Sequence, residues 1–216
     1  MMTGTDIDQI LGDHRVVATV TIGTIERAVP VAAALVDGGV PAVEVMLRTD
    51  VGLAALETIV ADVPDAVVGA GTVLTVERLE QAAAAGAAFA VSPGFDPALA
   101  DRAAELGVPF LPGAITPTEI QACLARDIST VKFFPASTAG GPAAIKALAA
   151  AYSFAGVQFV PTGGVDDTTI DDYLAVPAVR AVGMSWIASS AAVRDGDFEG
   201  ITSRARSITD RLRRQP

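Results

Sequence analysis

Residues 128–135 read Ile-Ser-Thr-Val-Lys-Phe-Phe-Pro, and an alanine-rich stretch at Pro142–Ala151 follows them. The β-branched run that opens this segment predicts a short buried strand, and the proline marks the point near which the strand ends. The alanine-rich stretch has helical period, so the two together read as one βα unit. Repetition of such units along a chain indicates a parallel sheet.

The same unit recurs along the whole chain. Strands are predicted at Val16–Ile22, Ala42–Met46, Ala66–Gly69, Ala88–Val91, Pro109–Leu111, Thr130–Phe133, Val157–Val160 and Val179–Val182. The intervening helices are predicted at Thr24–Asp37, Val51–Asp62, Val76–Ala85, Pro97–Leu106, Pro117–Ala125 and Pro142–Ala151, with a last helix at Phe198–Leu212. Eight units without a linker predict a (β/α)8 TIM barrel as a single domain over residues 1–216, with a short helix at Thr5–Leu11 closing its bottom. An open doubly wound sheet is the structural alternative, although it commonly has fewer strands.

Composition bounds the class of protein. Of the 216 residues, 51% are hydrophobic and 19% are charged, which suits strands that are buried on both faces. No apolar run approaches the roughly 18 residues of a membrane helix, and Met1–Asp8 lacks the features of a secretory signal. Cys123 is the one cysteine and can form no internal disulfide, and His14 is expected to be a surface or capping residue. We therefore expect a cytoplasmic protein without a dedicated metal site.

The net charge of −10 argues against nucleic acid and anionic membranes as partners. A small anionic substrate remains compatible with it if arginines, backbone N–H groups and helix N-termini supply local donors. The arginines near the C-terminus are expected to form a solvated helix face.

Lys132 is one of only two lysines in the chain and lies among apolar residues at a strand end. An amine in such surroundings loses the hydration that favours its charged form, which suits a nucleophile or Schiff-base former. Arginine cannot take this role because its guanidinium does not deprotonate in proteins. The structural alternative is a lysine that extends to water from the strand end. The other lysine, Lys146, is expected on a helix surface.

A carboxylate within the second strand is a poor fit for an apolar core, since burying an unpaired charge is costly. Strand alternation places Glu44, Met46 and Arg48 on one face. If that face lines the barrel, Glu44 and Arg48 converge on the mouth, where Lys132 also arrives. A purely structural Glu–Arg or Glu–Lys pair is the alternative.

Small residues end the other strands. Gly69-Ala70-Gly71-Thr72 would let a ligand approach the backbone, and Ser92-Pro93-Gly94 and Pro112-Gly113 are weaker signals. Phosphate-binding barrels use the loops after strands seven and eight. Here these loops carry Thr162-Gly163-Gly164 and Gly183-Met184-Ser185, which favours a substrate with a phosphate group. Ordinary turn chemistry is the alternative.

Six ordered motifs at these strand ends together resemble the Schiff-base aldolases that act on 2-keto-3-deoxy-6-phosphogluconate (KDPG) or 4-hydroxy-2-oxoglutarate (KHG). The motifs are Val43–Thr49, Val68–Leu74, Val91–Gly94, Val131–Ala136, Pro161–Val165 and Gly183–Trp186. The resemblance implies a (β/α)8 barrel that assembles as a homotrimer and needs no metal or organic cofactor.

The resemblance also implies a role for each matching position. Lys132 would form the imine with the substrate ketone, and Glu44 would be the general acid and base. Arg48 and Thr72 would hold the carboxylate end, while Pro93 and Phe134 would line the pocket. Thr162, Gly163, Gly164 and Ser185 would lie at the phosphate site.

The implied function is cleavage of KDPG, a small phosphorylated 2-keto acid, to pyruvate and glyceraldehyde 3-phosphate. KHG and the galactonate isomer of KDPG are alternatives within the same mechanism, and a phosphate-binding isomerase, a transferase or a non-catalytic phosphosugar binder lies outside it. The chain departs from the family pattern in the first strand (Val17–Val20), at Ser137 and at Met184. Family members often carry glutamate at the position of Ser137 and glycine at that of Met184. Met184 is therefore expected to narrow the phosphate loop or shift its backbone.

Overall fold

The computed structural model describes residues 7–214, and at Gly12 and Asp13 it describes the backbone alone. Its strands are β1 Val16–Val20, β2 Ala42–Met46, β3 Val67–Gly71, β4 Phe89–Val91, β5 Phe110–Leu111, β6 Thr130–Phe133, β7 Gln158–Pro161 and β8 Val182–Met184. Its helices are α1 Ile7–Asp13, α2 Ala28–Asp37, α3 Gly52–Asp62, α4 Val76–Ala84, α5 Pro97–Leu106, α6 Pro117–Leu124, α7 Gly141–Tyr152, α8 Ile170–Leu174, α9 Ser190–Asp195 and α10 Phe198–Arg213.

The strands are all parallel and close into a ring. Six of them form one sheet in the order β5-β4-β3-β2-β1-β8, and β6 pairs with β7. A bridge between Gly113 and Lys132 joins β5 to β6, and a bridge between Thr162 and Gly183 joins β7 to β8. The backbone of Lys132 takes part in the first junction, because its N–H donates to the Pro112 carbonyl at 2.8 Å. The TIM-barrel prediction is therefore confirmed over the open doubly wound sheet.

Strand alternation divides the core into two clusters. The outer cluster packs the outward strand residues, such as Val43, Val45, Val131 and Phe133, against the helices. The inner cluster fills the barrel and comprises Ile7, Ile10, Leu11, Val17, Ala42, Phe89, Val91, Leu111, Val160 and Ala181. Three members of the inner cluster belong to α1, so this helix closes the bottom of the barrel as predicted. Thr5 and Asp6 of the predicted helix lie outside the described residues.

Local sequence explains where several helices begin. The Asp96 side chain accepts from the Ala98 N–H at the start of α5. Thr116 and Glu119 form a capping box at the start of α6, with Pro117 at the first helical position. Such caps satisfy backbone N–H groups that have no partner within the helix. They fix the loops that lead from the strand ends into the helices.

The predicted and observed elements differ in few places. The eighth strand begins at Val182 rather than Val179, since Val179 forms only a single bridge with Phe159. The short helices α8 and α9, of 5 and 6 residues, were not predicted. Residues 25–27 form a 3-10 turn, so α2 begins at Ala28 rather than Thr24. Within residues 7–214 no helix combines the length and apolar character needed to cross a membrane.

Candidate active site

Glu44 and Lys132 meet inside the barrel near its mouth. Each alternates with residues of the outer cluster, Glu44 with Val43 and Val45, and Lys132 with Val131 and Phe133, so both side chains point inward. The Lys132 Nζ donates to Glu44 Oε1 at 3.1 Å, and the two side chains are only 5% and 3% exposed. A buried charge is tolerated only with such a partner. The structure thus brings together the two residues for which the sequence predicts the chemistry.

Glycines on the inner face make room for this pair. A Cβ added to Gly71 would lie 2.5 Å from Glu44 Oε1 and 2.7 Å from Met46 Sδ. On β8, a Cβ at Gly183 would overlap the Thr162 side chain. The polar side chains near the mouth therefore occupy space that larger residues at these positions would fill.

Phe134 lies between Lys132 and the loop after β7 that contains Gly163 and Gly164, which we call the glycine loop. The Lys132 Nζ lies 5.4 Å from the centroid of the Phe134 ring, which is within cation–π range. One edge of the ring faces Gly163, where an added Cβ would lie 3.2 Å from two ring carbons. Phe134 is 37% exposed. It therefore forms part of the wall that runs from Lys132 to the loop, as a pocket-lining residue would.

The predicted phosphate residues lie together at the mouth. Gly163 and Gly164 have φ of 94° and 80°, a region that favours glycine, and the Ser137 hydroxyl packs directly against Gly164. Thr162 is buried and forms a β-bridge with Gly183 of β8. Ser185, which is exposed, comes directly after β8 and therefore lies near Thr162. The loops after β7 and β8 therefore bring the predicted phosphate residues to the same end of the barrel.

The Met184 side chain does not narrow this loop, which was one of the two effects expected from sequence; the other, a shift of the loop backbone, stays a prediction. It is fully buried and belongs to the outer cluster, because it faces away from the barrel interior while Gly183 faces inward. The side chain therefore packs against helices instead of the glycine loop.

The structure places Arg48 and Thr72 at the rim of the mouth. Strand β2 ends at Met46, so Arg48 lies on the loop that follows, and its exposed guanidinium donates to Thr21 Oγ1 at 3.5 Å. Thr72 follows β3 with a φ of 61°, which is rare for a β-branched residue, and its hydroxyl donates to Met46 Sδ at 3.3 Å. Strain of this kind concentrates at functional sites.

Pro93 lies in the loop after β4 and is half-buried. Its carbonyl group packs against Gly113 so closely that a Cβ there would overlap it. The loops after β4 and β5 are therefore in contact at the edge of the mouth. Pro93 makes one side of that contact through its backbone.

Two residues near the site were not singled out by sequence. Thr19 points into the barrel beside Glu44, its register partner on β2. Asp166, which follows the glycine loop, accepts hydrogen bonds from the N–H and hydroxyl groups of Thr168 and Thr169. Those bonds, led by the Thr168 hydroxyl, lower the pKa of the Asp166 carboxyl. A threonine or aspartate at such positions carries no distinctive pattern, which is why sequence reasoning missed both.

The remaining candidate nucleophiles lie elsewhere. Cys123 is buried in the outer cluster, and burial raises the pKa of its thiol to about 12. Lys146 is exposed on α7, as expected. Among residues 7–214 no three His, Cys, Asp or Glu side chains cluster as metal ligands would.

Comparison with known proteins identifies the family. Residues 7–204 match the family model described as KDPG and KHG aldolase. The chain belongs to this aldolase family. Among curated members, the 2-dehydro-3-deoxy-phosphogluconate aldolase of Treponema pallidum is 46% identical over 88% of this chain and 89% of its own length.

Solved structures of the aldolase family have the same fold. The KDPG aldolase of Legionella pneumophila, with pyruvate captured as a covalent carbinolamine intermediate, has a TM-score of 0.89 and 35% identity, covering 93% of this chain and 97% of that one. The aldolase of Zymomonas mobilis with 3-phosphoglycerate has a TM-score of 0.88 and 38% identity, covering 94% and 95%. The family assignment therefore rests on sequence and fold together.

Proposed function

We propose that this chain is a class I aldolase that cleaves KDPG to pyruvate and glyceraldehyde 3-phosphate through an imine on Lys132. The observation that carries the proposal is the buried contact between Lys132 Nζ and Glu44 Oε1 at 3.1 Å. It places an amine and a proton carrier side by side, with both side chains buried. The carbinolamine of pyruvate in the Legionella relative supports the same chemistry.

Formation of the imine begins with a free amine. Transfer of a proton from Lys132 to Glu44 along their contact gives an amine and a carboxylic acid, both neutral and less costly to bury than the ion pair. The amine attacks carbon 2 of the substrate, and the acid returns the proton that lets water leave the carbinolamine. The Phe134 ring, 5.4 Å from Nζ, is placed to stabilise the resulting cation.

Cleavage then uses the iminium ion as an electron sink. Glu44, now a carboxylate, takes the proton of the carbon-4 hydroxyl, the bond between carbons 3 and 4 breaks, and its electrons form a neutral enamine. The aldehyde leaves, carbon 3 takes a proton from the same carboxyl group, and water releases pyruvate. One carboxylate beside the imine is sufficient for both proton transfers.

The ends of the substrate fit the surroundings of this pair. The backbone N–H groups near Gly163 and Gly164, with the Thr162 and Ser185 hydroxyls close by, form our proposed phosphate site. Arg48 and Thr72, at the ends of β2 and β3, are the proposed carboxylate ligands, and Pro93 and Phe134 the proposed lining. The 3-phosphoglycerate complex of the Zymomonas relative supports a phosphorylated substrate.

Borohydride trapping tests the proposal directly. Reduction in the presence of pyruvate should add the mass of reduced pyruvate to one site, and peptide mapping should locate it on Lys132. Lys132→Met should abolish the adduct, while Lys146→Met, which removes the other lysine, should leave it intact. An adduct on Lys146 alone, or none in the wild-type chain, rules out the mechanism.

Preference for the aldehyde half is measured separately. Steady-state kcat/KM for KDPG, its galactonate isomer and KHG should be highest for KDPG, because the glycine loop provides for a phosphate that KHG lacks.

Gel filtration with light scattering would test the proposed homotrimer, which the family resemblance supports. Cell fractionation would test a cytoplasmic location.

A further inference from the structure

Thr19 lies beside Glu44 on the inner wall of the barrel. Val17, two residues earlier on β1, belongs to the inner cluster, whereas Ala18 and Val20 belong to the outer cluster, so Thr19 also points inward. Parallel pairing aligns Thr19 with Glu44 on the neighbouring strand. Register partners on adjacent strands project side by side, which places the Thr19 hydroxyl next to the glutamate side chain.

The Thr19 hydroxyl has no hydrogen-bond partner within residues 7–214, although the residue is only 5% exposed. In the described part of the chain, every fully enclosed side-chain oxygen or nitrogen has a partner. The hydroxyl is therefore not fully enclosed, and it lies on the inner face of the barrel beside Glu44. A hydroxyl this buried normally has a hydrogen-bond partner, so the unpaired Thr19 hydroxyl facing the site is a candidate for a function.

One carboxylate oxygen of Glu44 also lacks a hydrogen-bond partner in the described structure. Lys132 contacts Oε1, while Oε2 has no hydrogen-bond donor among the described residues. A lysine ammonium has three N–H donors, but the iminium nitrogen has one. The Glu44 carboxylate therefore has the fewest hydrogen-bond donors around it in the imine state, in which it must take a proton from carbon 4 and deliver one to carbon 3.

We propose that Thr19 is a positioning residue for Glu44. Its hydroxyl donates a hydrogen bond to the Glu44 carboxylate, directly or through one water, after Lys132 has formed the imine. The proposal rests on the proposed function and assigns Thr19 no chemical step of its own. The alternative is that Thr19 is a β-branched residue that only fills the strand, a role that valine performs equally well.

The experiment isolates the proton transfer at carbon 3. In D2O the enzyme exchanges the methyl protons of pyruvate through the enamine, which proton NMR follows without an aldehyde. Thr19→Val keeps the shape and removes the hydroxyl, and we expect exchange to slow about ten-fold, the effect of losing one hydrogen bond to a charged group. The KDPG kcat should fall in parallel with little change in KM. Borohydride trapping of pyruvate on Lys132 should remain complete, because imine formation precedes the step.

Two variants serve as controls. Thr19→Ser restores the hydroxyl and should exchange within about two-fold of the wild-type rate. Thr130→Val makes the same change on the inner face of β6, where the hydroxyl already donates to Asp8 near the barrel bottom; it should leave the exchange rate unchanged. If Thr19→Val does not fold, Thr19→Ala removes the hydroxyl without putting a methyl group in its place.

The outcomes separate the two proposals. Exchange by Thr19→Val at the wild-type rate, or equal slowing in Thr19→Val and Thr19→Ser, overturns the role of Thr19 while trapping on Lys132 still supports the aldolase. Absence of trapping in the wild-type chain overturns the aldolase mechanism and the role of Thr19 with it.

Discussion

Lys132 on β6 and Glu44 on β2 belong to opposite sides of the barrel, yet their side chains meet inside it with Nζ 3.1 Å from Oε1. Each is the only charged partner that the described structure gives the other. Their contact therefore matters for stability as well as for chemistry.

Removing one member of this pair should destabilise the fold. Lys132→Met leaves the Glu44 carboxylate buried without a partner, and we expect the free energy of unfolding to fall by about 3–5 kcal/mol. The double variant Lys132→Met/Glu44→Gln should recover much of that loss because no buried charge remains. Urea denaturation at pH 7 measures both, with the exposed Lys146→Met as a control expected within about 0.5 kcal/mol of wild type. Equal stability of the single and double variants would contradict this account.

Glu44→Gln should separate imine formation from cleavage. The amide keeps the shape of the side chain but carries no proton for transfer, so kcat for KDPG should fall about 100- to 10,000-fold. Prolonged incubation with pyruvate and borohydride should still label Lys132. A variant that cleaves KDPG at the wild-type rate would exclude Glu44 as the general base.

Gly71→Ala should displace Glu44. The new Cβ would lie 2.5 Å from Oε1 and 2.7 Å from Met46 Sδ, so both side chains must move. We expect kcat to fall at least about ten-fold, with a loss of roughly 1–3 kcal/mol in unfolding free energy from overpacking. The control is Gly23→Ala in the loop after β1, where no atom lies within 4 Å of an added Cβ. Similar losses in both variants would argue against a specific steric effect on Glu44.

The barrel and the Glu44–Lys132 pair could be predicted from the sequence because both follow from the periodic alternation of strands and helices and of the two faces of each strand. Strand alternation and strand ends place Glu44 and Lys132 at one mouth without knowledge of any contact. The same reasoning says less about Arg48, since β2 ends at Met46 and alternation does not extend into the loop; the role of Arg48 at the mouth stays a prediction. The expectation that the Met184 side chain narrows the loop was wrong because family resemblance says which residue is unusual and not which way it points.

The other misses have similar physical causes. Helices α8 and α9 are shorter than the window over which helical period can be recognised. Thr19 reads as an ordinary strand residue, since threonine favours strands whether or not its hydroxyl has a use. Its place beside Glu44 depends on the register between β1 and β2, which the sequence alone does not give.

Gly164→Ala should weaken binding of the phosphorylated end of the substrate. Gly164 has a φ of 80° and contacts the Ser137 hydroxyl, so alanine is strained and also collides. We expect KM for KDPG to rise at least about ten-fold while pyruvate trapping persists, because pyruvate has no phosphate. Gly156→Ala is the matched control: its φ is 66°, nothing lies within 4 Å of an added Cβ, and it lies far from the mouth.

Both glycine variants should lose about 1–2 kcal/mol in unfolding free energy from the left-handed backbone. Only Gly164→Ala should change KM. A rise in KM in Gly156→Ala of the same size would show that general destabilisation, and not the loop, is responsible.

Asp166 should make the stability of the glycine loop dependent on acid. Hydrogen bonds from Thr168 and Thr169 lower its pKa in the folded chain from the ordinary value of 3.8. Its contribution is therefore complete above about pH 3.8, the unfolded value, and is lost as the pH falls through the lower folded value. The difference in unfolding free energy between wild type and Asp166→Asn should accordingly be largest near neutral pH and shrink below pH 4. A difference that stays constant down to pH 2 would contradict the assignment.

Helix α1 fills the end of the barrel opposite the loops that follow the strands. Ile7, Ile10 and Leu11 pack into the inner cluster there, so among the described residues the route to Lys132 leads past the loops that follow the strands. In the proposed mechanism, pyruvate is still covalently bound to Lys132 as the enamine when the aldehyde is released. The aldehyde must therefore depart before pyruvate, and in the reverse direction pyruvate must load first. The covalent bond to Lys132 sets this order, and the short helix on the side of the molecule where no chemistry takes place leaves both fragments the same route.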